Sequence, residues 1–578
     1  MYYTREQHIR FLQKELNAIS ESYLRLIKSQ AISLLESNLV YVTQFVKINI
    51  TKDGNGNGQL LLKFKGDKGI PRKNEYFTAV VLDNDMCLPR NWGGLSWVSL
   101  RKYQISFSQV HCVWQGKSDE KGFLLCGFKG LSIEMADFLT DKHLEGCVIV
   151  LGPKEPPLDY YINLMDLVCQ KECLCAGILD FDVQVINWEP VSIRSENGTA
   201  GRIRELLYTK NELIIQGPPG TGKTYLMASL VSLLLKEGKS VLVTSLTNRA
   251  LIELVQKPSL KSHLDNGEVM KTNTSVDELT ECRGLVPVSS DTICSIPGKL
   301  TLSTFYVSSG WAKIIAKTQP FDYIIMDESS QALFAMTAAI KQLAKKTLWI
   351  GDQNQIPPIV VMSDESVLRN DYSRLVNGFQ TLCDNFRFPS FILTETHRLL
   401  PAAAKLTSKF YHVPLTSAVN FEYTLGTAGL PYLGPDGGTS IVFRHMKNGG
   451  KADLTSCNLV IKIVDELLDA NPDLSIAVLS KFRDTVRMLQ RLFLDSHNTG
   501  HDVLIDTIGR VQGMTCDVCV FLIPNTMVGL SLDRNQFNVA TSRAKQHTII
   551  IADPSVVHAE CDSDVRSYLK TVDIRYFT

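Results

Sequence analysis

The chain has 578 residues, 44% hydrophobic and 21% charged, with Lys+Arg and Asp+Glu both numbering 60. That composition excludes a disordered or fibrous chain, and the absence of net charge excludes a globally basic surface, so any groove for a polyanion must be a local patch. The length predicts three or four domains; no apolar run reaches a membrane span and MYYTREQHIRF is no signal peptide, so an intracellular, cytoplasmic protein without a membrane partner is expected.

In chain order, residues 5–38 carry Ile9, Leu12, Leu16, Ile19, Tyr23, Leu26 and Ile27 at helical spacing amid charge. This predicts one or two amphipathic helices that either pack on a core or serve recognition. From Val40 to Gly152 the texture changes to short alternating runs (VYVTQFVKI, QLLLKF, EYFTAVVL, VHCVW, FLLCGF, CVIVLG) between glycine-, asparagine- or charge-rich breaks, the pattern of a small β-barrel. Lys63, Lys65, Lys68, Arg72 and Lys73, with Phe64 interleaved, form its densest basic patch, readable equally as a strand contact or a solvated loop. Residues 150–190, including GPKEPPLDYY, read as a linker. The 14 cysteines are scattered, as buried thiols are; Cys169, Cys173 and Cys175 cluster in VCQKECLC without a fourth ligand at usable spacing, which favours structural thiols over metal.

Between Gly217 and Thr224 the chain reads GPPGTGKT, that is Gly217, Pro218, Pro219, Gly220, Thr221, Gly222, Lys223 and Thr224. A glycine-rich loop of this kind turns successive N–H groups toward phosphates, while the lysine reaches the β- and γ-phosphates and the hydroxyl holds Mg²⁺. The apolar run ELIIQ precedes it and a leucine-rich run of helix length, Tyr225–Gly238, follows, so the loop sits at the positive end of a helix dipole. SVLVTSLT follows as a buried strand ending in Ser245, Thr247 and Asn248, side chains suited to phosphate contacts. Residues 257–300 are polar and irregular, with Pro258, Pro287 and Pro297; LTLST then repeats the strand pattern and ends in Ser303 and Thr304.

FDYIIM is a core strand with Asp327 and Glu328 at its carboxyl end. In a chain with a phosphate loop, the first carboxylate is placed to bind Mg²⁺ and the second to deprotonate the attacking water. LWIGDQNQIPP ends another strand and offers Gln355. Alternating strands and helices of this kind predict an α/β fold with doubly wound parallel sheets and functional groups at the strands' carboxyl ends. After about residue 390 a second strand–helix series begins with no second phosphate loop; its strands are expected at Ser440–Arg444, Ser475–Ser480, Val503–Thr507, Val518–Ile523 and Thr548–Ala552, with helices at Leu459–Ala470 and Arg483–Phe493. Arg398 in TETHRLLP and Arg543 in NVATSRAK are candidates to neutralise charge on a γ-phosphate from a second lobe.

The ordered set GPPGTGKT, VTSLTNRA, LSTFYVSSG, DESSQA, GDQNQIPP, ETHRLLP, TIGRVQGMTCD and FNVATSRAK resembles the motif series of superfamily 1 helicases. It is most similar to their 5′→3′ branch, which includes the nonsense-mediated-decay helicase, the DNA replication helicase/nuclease and the nidovirus helicases. The resemblance implies two RecA-like lobes with a helical stalk and a β-barrel ahead of them. The implied parts are a stalk at 1–40, a barrel at 41–152, a stalk return at 153–190, a first lobe at 191–390 with the insertion 257–300, and a second lobe at 391–578. It implies an ATP- and Mg²⁺-dependent motor on single-stranded DNA or RNA. In it Lys223, Thr224, Asp327 and Glu328 do the chemistry, Gln355 senses the γ-phosphate, and Arg398 and Arg543 are arginine fingers from the second lobe. Gln512 and Gly513 link the nucleotide cleft to a strand contacted by Ser245, Thr247, Asn248, Ser303, Thr304, Ser480 and Thr507.

The chain departs from the family in three places. Ser195–Gly201 (SENGTAG) contains no adenine-reading glutamine, Gly509 with Arg510 replaces a common aspartate, and Met514 and Thr515 replace an acidic residue. The competing readings are a nucleotide-controlled switch acting on a protein partner and a clamp that binds strands without unwinding. The sequence carries no nuclease signature, so a nuclease or targeting function would come from another chain.

Overall fold

The protein is described from a computed structural model covering residues 2–48, 60–65, 70–71, 75–82, 91–141, 147–184, 186, 188–194, 198–315, 318–425, 429–446, 450–496 and 502–575. Of the expectations above, Lys68, Arg72 and Lys73 and the stretch Ser195–Asn197 lie outside the described residues. Among the described residues no helix is long and apolar enough to cross a membrane.

The chain opens with α1 (Arg5–Lys28), started by a capping box between Thr4 and Gln7 that satisfies two otherwise orphan N–H groups, and α2 (Ala31–Glu36). Six strands follow: β1 (Tyr41–Ile48), β2 (Leu60–Lys65), β3 (Tyr76–Leu82), β4 (Gln104–Lys117), β5 (Phe123–Lys129) and β6 (Val148–Pro153). They close into an antiparallel barrel in the order β1-β2-β5-β4-β3-β6. Alternate residues such as Phe45, Phe64, Phe77, Cys126 and Phe128 fill its interior. Residues 153–190, expected as a linker or stalk return, hold α3 (Leu158–Cys169), whose Tyr160, Leu164 and Leu167 join Phe11 and Leu12 of α1 in one core with the first large sheet.

That sheet contains nine strands among the described residues, all parallel: β7 (Val191–Ile193), β8 (Glu212–Gln216), β9 (Val241–Ser245), β10 (Val269–Thr272), β11 (Val286–Val288), β12 (Leu300–Thr304), β13 (Phe321–Met326), β14 (Ala344–Gly351) and β15 (Ser390–Leu393). Their order is β11-β10-β12-β9-β13-β14-β8-β15-β7. Helices cover both faces, so central strands are apolar on both sides. In β13, Tyr323 and Ile325 enter one core while Phe321, Ile324 and Met326 enter the other. Two expectations change here. The stretch 257–300 is not irregular, because it supplies β10 and β11 to the sheet edge. The first sheet also does not end at residue 390: β15 pairs with β8 and β7, carrying it to Leu393.

The second sheet has six parallel strands among the described residues: β16 (Gly438–Phe443), β17 (Ile476–Ser480), β18 (Val503–Thr507), β19 (Cys516–Ile523), β20 (Ala544–Ala552) and β21 (Asp573–Arg575), ordered β18-β17-β19-β20-β16-β21. It too is apolar on both faces: Val518, Val520 and Leu522 of β19 point into one core, and Cys519, Phe521 and Ile523 into the other. The helix expected from Leu459 begins earlier, at Leu454, because the Asp453 carboxylate accepts the Ser456 N–H at 2.8 Å and caps it.

Candidate nucleotide and strand site

The phosphate loop joins β8 to α5 (Lys223–Lys236). Gly220 and Gly222 hold left-handed φ of 72° and 80°. At Gly220 a side chain is excluded twice over, since a Cβ would lie 2.4 Å from the Arg398 Cβ and 2.7 Å from the Thr396 Oγ1. The Thr221 hydroxyl closes the turn on the Pro218 carbonyl at 2.8 Å, and Lys223 Nζ donates to the Gly217 carbonyl. The loop faces a cleft of about 3630 Å³ between barrel and both sheets, whose walls include Lys223, Asp327, Gln355, Arg398, Gly513 and Arg543.

Asp327 and Glu328 follow β13 directly, and Asp327 is buried. Glu328 takes a left-handed φ of 51°, a strained conformation costing about 1–3 kcal/mol that turns its side chain away from the strand direction. Its N–H donates to Asp327 Oδ1 at 2.9 Å. Burial, then the neighbouring Glu328 charge, pushes the Asp327 carboxyl up to about 7, against the opposing pull of Lys223. Glu328 Oε2 accepts from Gln331 Nε2 at 3.2 Å and from Gln512 Nε2 at 3.3 Å. Gln512 belongs to the segment between β18 and β19, so the second sheet reaches the acid across the seam.

Arg398 does not come from the second lobe as expected. It lies in the connector after β15, bound to the phosphate loop: Thr396 Oγ1 donates to the Pro219 carbonyl at 3.0 Å and the His397 N–H to the Gly220 carbonyl at 2.9 Å. Its Nη1 reaches across to the Ser542 carbonyl at 3.3 Å. Arg543 follows α12 (Arg534–Thr541) and is almost fully buried, held by the Val539 carbonyl at 2.8 Å and the Ser542 hydroxyl at 3.2 Å. Neither arginine has a carboxylate within ion-pair distance among the described residues. Burial, then the Arg543 charge, lowers Arg398 to about 9, and burial lowers Arg543 as well. Two guanidinium groups without an ion-pair partner among the described residues therefore share the cleft with the loop, Arg398 packed directly on Gly220.

Sequence reasoning missed the bridge behind these groups. Asp352, at the end of β14, accepts from Gln216 Nε2 at 3.2 Å, Gln355 Nε2 at 2.8 Å and the Tyr411 hydroxyl at 2.6 Å. Tyr411 in turn accepts from Asn538 Nδ2 of α12 at 3.1 Å, and Arg534 of the same helix donates to Asn354 Oδ1 at 2.8 Å. Gln355 is thus wired to the helix that precedes Arg543. The polar run DQNQ after a strand was the only local signal, and its partners lie far along the chain.

The expected strand contacts divide. Thr247, Asn248 and Thr304 line the cleft. Thr247 also caps α6 (Asn248–Val255), accepting the Ala250 N–H. Ser245, Ser303 and Ser480 do not reach it, because all are buried: Ser303 bonds Ser308 at 2.6 Å and Ser480 donates to the Leu522 carbonyl at 3.0 Å. Thr507 is half-buried at the end of β18, its hydroxyl 3.4 Å from Asp506 Oδ1. The basic patch also changes, since Phe64 points into the barrel core and Lys63 pairs with Glu120 at 2.9 Å. Tyr76, Arg101, His111, Lys129 and Lys154 line the cleft on the side of the barrel. Cys173 and Cys175 are buried in the core of α1 and α3, and among the described residues no group of three or more metal-ligating side chains converges.

Two family models, each described as an AAA domain, match residues 203–361 and 376–555. The DNA replication ATP-dependent helicase/nuclease DNA2 of Saccharomyces cerevisiae is 23% identical over 419 residues, covering 64% of this chain and 26% of the relative. The DNA polymerase alpha-associated DNA helicase A of Schizosaccharomyces pombe is 23% identical over 418 residues, covering 60% and 61%. Helicase sen1 of the same organism is 26% identical over 280 residues, covering 45% and 16%. The chain spans between 26% and 38% of the length of the five DNA2 relatives it matches first. The crystal structure of arterivirus nonstructural protein 10, a helicase, aligns over 83% of this chain and 77% of its own at 16% identity, with a TM-score of 0.34. With both matched segments built on parallel sheets and the motifs in family order, the chain belongs to the superfamily 1 helicases.

Proposed function

We propose that the chain hydrolyses ATP to step 5′→3′ along single-stranded DNA or RNA and to unwind the duplex ahead of it. The observation that carries this reading is the pairing of Arg398 and Arg543, two cations with no ion-pair partner among the described residues that share the cleft with the phosphate loop, one on the connector and one immediately before β20. A triphosphate supplies the missing negative charge, and it favours the arrangement in which both arginines are near it.

N–H groups of Gly220–Thr224 and the Lys223 ammonium hold the β- and γ-phosphates. Thr224 and Asp327 would hold Mg²⁺: a buried carboxylate pushed up by its acidic neighbour fits a hard divalent cation that restores its charged form. When bound, that ion neutralises charge on the phosphate oxygens. Glu328 orients a water and takes its proton as the water oxygen bonds to the γ-phosphorus and the bond to the β,γ-bridging oxygen breaks. Arg398 and Arg543 stabilise the charge spread over the equatorial oxygens, and Gln355 registers the γ-phosphate through Asp352 and Tyr411. Once phosphate leaves, the arginines lose their counter-charge and the lobes part, alternating the grip on a strand held by Thr247, Asn248 and Thr304.

Strand displacement on duplexes bearing a 5′ or a 3′ single-stranded tail tests this. The expected result is ATP-dependent unwinding of the 5′-tailed duplex. Unwinding of the 3′-tailed duplex alone overturns the direction, and stimulated hydrolysis without displacement of either reduces the protein to a clamp.

A further inference from the structure

Lys271 is a lysine inside a parallel sheet. It sits on β10, and none of its side chain reaches solvent. Burying an ammonium costs several kcal/mol, and an apolar side chain of similar volume often holds a core as well, so packing gives no reason for a lysine here. Its three protons all have acceptors: Asn248 Oδ1 at 3.0 Å, Glu278 Oε2 at 2.9 Å and the Thr272 carbonyl at 3.2 Å. Glu278 belongs to α7 (Val276–Glu281) and also accepts the Ser275 N–H at 2.9 Å in a capping box. Capping accounts for Glu278, and glutamine would serve it equally, but it does not account for Lys271.

The same short helix is fastened to the barrel. Asp277 Oδ1 accepts the Gly130 N–H at 2.9 Å, the Val276 N–H donates to the Leu131 carbonyl at 3.2 Å, and Glu281 pairs with Lys129. Gly130 has a φ of 91°, and a Cβ there would lie 2.8 Å from the Gln109 carbonyl oxygen of β4, so the barrel turn whose N–H reaches Asp277 requires glycine. At the other end of the chain of contacts, Asn248 opens α6 on the cleft wall. A polar path thus runs from the cleft through Lys271 and α7 to the barrel.

We propose that Lys271 is a positioning residue that fixes strand-facing Asn248 to α7, and through Asp277 to the barrel, so that barrel and first sheet grip a single strand as one unit. This rests on the strand-binding reading above. An Asn248 amide oriented by a buried ammonium presents its N–H groups outward, suited to phosphate or base acceptors on the strand. Loss of the tie frees that amide and lets the barrel move independently of it.

The test is the double substitution Lys271→Met with Glu278→Gln, which removes both charges together and keeps the cap. Fluorescence anisotropy with labelled oligo-dT and oligo-U should show affinity about tenfold weaker, the worth of one charge-assisted hydrogen bond. The length of strand protected from nuclease digestion should shorten, while strand-free ATP turnover stays at the wild-type level. Asp277→Ala, which leaves the buried pair intact, should shorten the protected length as well and supplies the test should the double variant not fold. Wild-type binding matched by these variants in affinity and protected length overturns this inference alone. A wild-type protein that binds no oligonucleotide overturns the strand-binding reading and this inference with it.

Discussion

The two parallel sheets share an architecture and differ in the charge they bring to the seam. The first presents acid: Asp327, with its carboxyl held up to about 7 by burial and by Glu328, beside a loop of N–H donors. The second presents Arg543, buried among carbonyls and a hydroxyl, with Arg398 of the connector beside it. Each set is electrostatically incomplete by itself. On the function proposed above, a metal–triphosphate would complete both at once and make nucleotide occupancy and lobe position one equilibrium. The difference teaches that two copies of one fold can divide opposite charges between them across a seam.

The comparison breaks most severely if the second sheet's cation is dispensable. Arg543→Ala should lower turnover by about 10³-fold or more while fluorescent-nucleotide binding persists; turnover near wild type would mean that the second sheet takes no part in the chemistry. Glu328→Gln probes the first sheet's acid. Turnover should drop about 10²- to 10⁴-fold with ATP and strand still bound, measured by single-turnover hydrolysis and anisotropy. Tyr411→Phe sharpens the account of the bridge: it removes the hydroxyl shared by Asp352 and Asn538 and leaves each lobe's own core intact. Strand stimulation of hydrolysis should weaken about 10- to 100-fold, the worth of one hydrogen bond to a carboxylate.

A smaller effect concerns stability, and it touches both regions. Burial lowers His8, packed against the first sheet, to about 4 and His547, in the second, to about 3. Both rings are neutral in folded and unfolded chains above the ordinary value of about 6.5. Below it the unfolded chain binds protons that the folded one refuses, so stability falls as pH drops from about 6.5 toward 4. Thermal melts across that window should show a declining midpoint, and a flat profile would contradict the buried neutral assignment.

Much of this was legible in the sequence where the physics is local. Buried parallel strands are continuous apolar runs, and a phosphate loop needs its glycines at fixed spacing, so FDYIIM, SIAVLS and GPPGTGKT announce themselves. What stayed hidden depends on distant partners. β10 reads as polar because Lys271 interrupts it, and nothing nearby reveals that Glu278 and Asn248 neutralise and hold that charge. β15 looks like the start of the second lobe because only its pairing with β8 assigns it to the first. Ser303 and Ser480 carry hydroxyls suited to a strand, yet they sit in sheets covered on both faces and bond inward, to Ser308 and to the Leu522 carbonyl. In the barrel it is strand alternation that turns Phe64 into the core.

The most direct test of shared charge across the seam is steady-state ATP turnover by wild-type protein and by Arg543→Ala, each with and without matched single-stranded DNA and RNA. The account predicts that a strand raises wild-type turnover and leaves the variant near zero under every condition. Wild-type turnover indifferent to every oligonucleotide, or a variant stimulated as strongly as wild type, would contradict it.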